Sequence, residues 1–262
     1  MSHPEQQQFI KNCLEKILKF NQNPHLNILE VGSYKLDNTN NLITSLLKDH
    51  KYLGTDVIGG PGVDLVMNGE DIDSLKQKFD IIISGECFEH ASNWQKIFAS
   101  MIRNIADDGF IILTIASKGR IEHGTFRSGS YNSPGTSDNY YLNLNIKDFK
   151  KNFKIKEIFK DYFFYYNIHS NDLYFLGTKK KEENSLINEV RDLTSKSNSK
   201  IPTFKSLKRF LFASILPNKL FHDLHFINKR RKKATKKLFF WYWSNVIYIS
   251  SIILYLKISF IK

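Results

Sequence analysis

Four short stretches of this chain end an apolar run in residues that can do chemistry: NILEVG at 27–32, YLGTD at 52–56, VDLVMNGED at 63–71 and KFDIIISGE at 78–86. In the first, the lone glycine Gly32 lets a ligand approach the backbone closely. A diphosphate needs several glycines and an open helix N-terminus. Glu30 would repel phosphate, so this turn suits a cationic ligand instead. In the second, Asp56 follows the glycine turn by about 20–25 residues, where an acid can accept hydrogen bonds from two ribose hydroxyls. In the third, Asn68 to Asp71 offer polar side chains and backbone amides to an adenine edge. In the fourth, Ser84 and Glu86 reach the same rim. A plain turn or a cap would explain any one of these positions; the signal is their joint order.

Positioning such residues requires strand ends side by side. Phe9, Ile10, Cys13, Leu14, Ile17 and Leu18 recur at helical spacing behind Pro4, which predicts a helix over 5–20. Strands are predicted at 27–31, 51–57, 63–67, 78–84 and 109–117, with helices at 40–50 and 93–105. That alternation calls for an α/β fold, a mostly parallel sheet with helices on both faces. Residues 117–144 form a long polar loop rich in Gly and Ser, and loops of this length are functional or disordered. A helix at 145–153 and two antiparallel strands within 154–180 close the sheet. The organisation read from this is a domain over 1–181, a polar linker with some helix over 182–204 and a basic, apolar extension over 205–262.

The series ILEVGSY, YLGTDV, NGED, FDIIISGECFEH and DDGFIILTIAS resembles the class I S-adenosylmethionine-dependent methyltransferases, most of all the family called methyltransferase type 11. The resemblance covers about residues 5–180. It implies a Rossmann-like, doubly wound, seven-stranded sheet with the last strand antiparallel, and S-adenosylmethionine as cofactor. Carried over onto matching positions, Glu30 and Gly32, with Ser33 in the turn, lie near the methionine part. Asp56 takes the ribose, Asn68 and Gly69 the adenine side, and Ser84 and Glu86 the rim beside the methyl group. The first motif departs from the family's G-x-G, with Gly32-Ser33-Tyr34 in its place.

Methyl transfer from a sulfonium needs mainly orientation and desolvation, and a hydroxyl acceptor also needs its proton removed. His123, Glu122 and His90 are the candidate bases, beside Glu86; histidine titrates nearest neutrality. The segment GRIEHGTFR at 119–127 brings Arg120 and Arg127 to the same place, where they could hold a phosphate or carboxylate of the acceptor. Tyr140 and Tyr141 could form an aromatic wall. Competing readings are a helix-capping His90, a solvated His123 and arginines that are only surface charge. No linear cluster has metal-ligand spacing, so no metal is expected. The expected reaction is O-methylation of a small-molecule or glycan-type acceptor. The alternatives are an RNA methyltransferase and a non-catalytic, membrane-associated cofactor-binding module.

The net charge of +12 is unevenly placed: residues 1–181 hold 22 basic and 21 acidic side chains, residues 182–262 hold 16 and 5. NKRRKKATKK at 228–237 precedes an uncharged run of 19 residues, 238–256, which has the length of a membrane span although Ser and Asn interrupt it. A basic run beside it gains about 1 kcal/mol per residue from anionic lipid. The readings of 228–261 are a membrane anchor, a helical subdomain or oligomer contact, and a nucleic-acid arm. The continuous apolar run argues against nucleic acid. Two distant cysteines and an N-terminus without a signal-peptide core point to a cytoplasmic protein, at the inner face of the membrane if the anchor reading holds.

Overall fold

The computed structural model describes residues 4–21, 25–35, 46–129, 133–136, 139–180, 186–197 and 202–234. Two compact units divide the chain, Met1–Phe221 and His222–Lys262. The first is built on seven strands: β1 (Asn27–Val31), β2 (Lys51–Asp56), β3 (Leu65–Val66), β4 (Phe79–Gly85), β5 (Ile105–Ala116), β6 (Asp161–Asn167) and β7 (Asp172–Thr178). They form one sheet in the order β3-β2-β1-β4-β5-β7-β6. The first five run parallel and β7 pairs antiparallel with both β5 and β6. This is the seven-stranded, doubly wound architecture the sequence predicts.

The apolar runs explain the layering, because neighbouring residues of a strand point to opposite faces. Leu29, Ile82, Ile111 and Leu113 face one core with α2 (Trp94–Asn104) and α3 (Ile146–Asn152). Ile28, Ile81, Ile83 and Ile112 face the other, against α1 (Pro4–Phe20). Strands buried on both sides must be apolar throughout rather than alternating. In the first core the Phe98 ring lies within 6.3 Å of Phe88, Phe149, Phe153, Phe159 and Phe175.

Three details differ from the sequence reading. Strand β5 begins at Ile105, directly where α2 ends, ahead of the predicted start at 109. Residues Ile155–Ile158 make a helical turn, α4, because Ile155 and Phe159 reach the core together only at helical spacing. The segment read as a linker holds α5 (Leu186–Ser197), whose Leu186, Ile187 and Val190 join the core beside α1, with Lys16 Nζ 2.6 Å from Glu189. The compact unit therefore continues beyond 181, through α6 (Phe204–Ile215), to Phe221. The last described helix is α7 (Asn218–Ala234). Most of the predicted 40–50 helix and the whole apolar run at 238–256 lie outside the described residues. Among the described helices, none is long and apolar enough to cross a membrane.

Phe98→Ala should cost about 3–5 kcal/mol, the usual cost of removing a buried aromatic ring. Urea unfolding should show a lower midpoint with an unchanged slope. A loss below about 1 kcal/mol would mean the aromatic cluster is not what holds α2 to the sheet.

Candidate active site

Because β1 to β4 are parallel, their C-terminal ends share one edge of the sheet. At the end of β1, Gly32 has φ +82, and a Cβ there would stand 2.7 Å from Cys87 Cβ. Both facts require glycine. The Gly32 and Ser33 amides donate to the Thr55 carbonyl at 2.8 and 3.0 Å, which folds the turn onto β2. The Ser33 hydroxyl is buried without a hydrogen-bond partner. Asp56 accepts the amides of Tyr34 at 3.1 Å and Ile58 at 3.3 Å. These occupy two of the about four acceptor positions of a carboxylate. Glu30 accepts the Tyr52 hydroxyl, and burial raises its pKa. Asn68 caps the 3-10 helix Gly69–Leu75 by accepting the Glu70 amide at 3.3 Å. Gly69 is wedged between Val31 and Ile97. Ser84 is a correction to the rim set: its buried hydroxyl donates to the Val31 carbonyl at 2.8 Å and braces β4 against β1.

Glu86, just past β4, holds the left-handed conformation at φ +52. Its carboxylate accepts Gln6 Nε2 at 2.6 Å and Arg120 Nη2 at 3.1 Å. Arg120 also reaches Asp172 Oδ1 at 3.1 Å and the Ser170 carbonyl at 3.2 Å. Burial alone would lower the Arg120 pKa; Asp172 and Glu86 outweigh it and the net direction is up. The expectation that Arg120 grips the acceptor is therefore corrected. Its side chain is 13% exposed, and a buried guanidinium needs these carboxylates as partners. A second correction concerns Glu122 and Arg127. Arg127 Nε and Nη2 meet the two Glu122 oxygens at 2.8 and 2.5 Å, and Thr125 Oγ1 donates to Glu122 at 2.6 Å. A carboxylate fixed by a bidentate guanidinium is a poor base, and the same pairing occupies Arg127.

His90, His123 and Tyr141 are brought together, although 33 residues of chain separate the histidines. Their ring centroids lie 4.9 Å (His90–His123), 5.4 Å (His90–Tyr141) and 5.1 Å (His123–Tyr141) apart, edge to face. Burial, then the neighbouring His123, push His90 down to about 3; burial also lowers His123. Both rings are thus neutral at pH 7. Tyr140 stands apart from this group, within the field of Asp148. Glu89 is the residue sequence reasoning missed. It is fully buried, Oε1 accepts the Ala116 amide at 3.2 Å, and burial followed by repulsion from Glu86 raises its pKa well above the carboxylate range. The acid-histidine doublet at 89–90 was the available signal. Glu89, His90 and His123 each offer one ligand atom, all within 4.8 Å of one another, a grouping that linear spacing does not reveal. Beside them a cavity of about 250 Å³ is lined by Gly124, Thr125, Phe126, Ser133 and Thr136, among others.

Arg120→Met should destabilise the protein by about 3–5 kcal/mol, because Glu86 and Asp172 keep their burial and lose their cation. Burial already pushes the Asp172 carboxyl up to about 8 while Arg120 pulls it down, so without Arg120 it would titrate higher still. The part of the deficit that comes from Asp172 should then be absent below about pH 8 and grow as pH rises above it. Unfolding at pH 6 and pH 9 checks this; a deficit independent of pH would show that Asp172 does not depend on the guanidinium.

No protein-family model and no curated protein matches the chain. Among solved structures, it is similar to the plantazolicin methyltransferase BpumL in complex with SAH and a triazolic desmethylPZN analog, at 14% identity and TM-score 0.47, over 77% of this chain and 81% of that one. It is also similar to the magnesium protoporphyrin IX methyltransferase ChlM from Synechocystis PCC 6803 with bound SAH, at 12% identity and TM-score 0.44, over 67% and 84%. A third is the CurJ carbon methyltransferase, at 14% identity and TM-score 0.45, over 65% of this chain. The chain spans only about half of that structure and of the citrinin polyketide synthase CMeT domain, 54% and 51%.

Proposed function

We propose that this chain is a methyltransferase that uses S-adenosylmethionine and methylates an oxygen of a small-molecule or glycan-type acceptor. The observation that carries the reading is the row of strand ends at one sheet edge: Asn68 after β3, Asp56 on β2, Gly32 after β1 and Glu86 after β4. In that row the acid before the Gly32 turn suits a cation. Asp56 keeps about two acceptor positions for ribose hydroxyls. The cofactor brings a methyl group already activated on a sulfonium, so the protein's share is to orient the partners and exclude water. Gly32, Ser33 and Asp56 would hold the amino-acid and ribose parts, with Asn68 on the adenine side.

On the acceptor side, His123 has the right chemistry for a base. Its Nδ1 lies 3.2 Å from the Ile121 carbonyl, which can only accept, so Nδ1 carries the hydrogen and Nε2 the lone pair. A neutral imidazole in this tautomer can take a proton from a hydroxyl. Tyr141, against both imidazoles, supplies the aromatic wall that the sequence assigns to the Tyr140–Tyr141 pair.

Titration calorimetry of S-adenosylhomocysteine into the full chain tests the reading. The wild type should bind, and Asp56→Ala should bind about 10- to 100-fold more weakly, as expected for losing hydrogen bonds to a charged group. No binding by a folded wild type would remove the methyltransferase reading; equal binding by the variant would remove Asp56 from the site.

A further inference from the structure

The geometry points to a divalent transition-metal site formed by Glu89, His90 and His123. The first support is the donor set. Two imidazoles and the Glu89 carboxyl, which would bind a metal in its deprotonated form, come from 89–90 and the long loop and bring one ligand atom each within 4.8 Å of the others. That combination suits zinc, manganese, cobalt or ferrous ions rather than magnesium or calcium, which prefer all-oxygen shells. A bound ion would draw the atoms inward by about 1 Å, since metal–nitrogen bonds of about 2.1 Å set donors about 3.4 Å apart in a tetrahedron.

The second support is the pattern of vacant and occupied polar atoms. Glu89 Oε2 and His90 Nδ1 are buried and have no hydrogen-bond partner. A buried polar atom without a partner costs about 1–3 kcal/mol, and a cation would meet both at once. The other atom of each ligand is already engaged. Glu89 Oε1 accepts the Ala116 amide, His90 Nε2 stands 3.0 Å from Ser133 Oγ, and His123 Nδ1 donates to the Ile121 carbonyl. Metal-binding histidines characteristically donate their second ring N–H to a fixed oxygen, which orients the ring and sets the tautomer. Here both histidines have that oxygen.

The third support is access. Gly124 and Ser133 line the 250 Å³ cavity, and both also lie against His90: a Cβ at Gly124 would stand 2.8 Å from His90 Cε1. Three protein ligands leave coordination positions for an exogenous oxygen, and a coordinated hydroxyl is more acidic than a free one, so with the ion on the His123 Nε2 lone pair it is the ion, in place of the free His123 imidazole, that would ease loss of the hydroxyl proton. That the exogenous oxygen belongs to the methyl acceptor rests on the methyltransferase reading; the binding of the ion does not.

Cobalt(II) added to the chelator-treated full chain, followed by visible absorption, tests the site. One equivalent should bind, with Mg²⁺ unable to compete at equal concentration. Glu89→Gln and His123→Ala should each weaken binding by about 10- to 100-fold or more, while Asp56→Ala leaves it unchanged. S-adenosylhomocysteine binding by His123→Ala, measured beside it, should match the wild type. Failure of the cofactor titration alone would remove only the methyltransferase reading. Wild-type protein that binds no cobalt, or variants that bind as tightly as wild type, would overturn the metal site. If a variant does not fold, the wild-type histidine resonances decide. Substoichiometric Co²⁺ should broaden His90 and His123 first, and broadening confined to other histidines would overturn the proposal.

Discussion

Taking the Arg120 guanidinium out of water costs several kcal/mol unless its charge and its donors are met in place. The three groups that meet it, and the one that completes them, come from different parts of the chain. Glu86 ends β4, Ser170 lies in the β6–β7 turn, Asp172 begins β7, and Gln6 of α1 completes the Glu86 carboxylate. One side chain thus ties the middle of the sheet to the hairpin that closes it and to the N-terminal helix. It also sets the charge around the histidines: Arg120 disfavours protonation of both His90 and His123, while Glu86 opposes it at His123. Burial is the main reason both rings are neutral, and the ion pair adds a smaller contribution, of opposing signs at His123.

The two halves of the rim are built by different means. On the Gly32–Asp56 side, backbone amides and carbonyls fix the shape: Thr55 holds the turn, and Asp56 is held by two amides. On the histidine side, shape comes from side chains of a long loop packed on a short 3-10 turn, Phe88–His90. The first half has little freedom to change shape, since Gly32 admits no Cβ. The second can be rebuilt by a few substitutions without disturbing a strand. A scaffold divided this way keeps one binding function constant while the other partner varies.

The sheet was legible because its central strands β1, β4, β5 and β7 are apolar runs largely buried on both faces, and most of the helices carry a clear 3.6-residue period; the edge strand β3 is only two exposed residues. What escaped the sequence depends on contacts between distant residues. Nothing local distinguishes Arg120 in GRIEHGTFR as a buried clamp from Arg127 as a loop cation, for only the fold brings Asp172 to one and leaves Glu122 to the other. Glu122 looked like a base because its neutralising partner sits five residues away across a turn not predicted in detail. Ser84 looked like a rim residue because strand ends are ragged by a residue or two, and one residue decides which face a side chain takes. The docking of the helix at 186–197 on the core was hidden by its polar composition: only Leu186, Ile187, Val190 and Thr194 are buried, a narrow stripe in a short segment.

The Arg120 clamp has a consequence in time as well as in energy. Its partners lie 34 and 52 residues away along the chain, so neither ion pair can form early from local structure. Until the β6–β7 hairpin docks on β5, Arg120 has only part of its counter-charge and remains best solvated by water. A chain that has not yet delivered β7 lacks Asp172, and with it part of the counter-charge of the clamp that ties the loop carrying His123 to the end of β4.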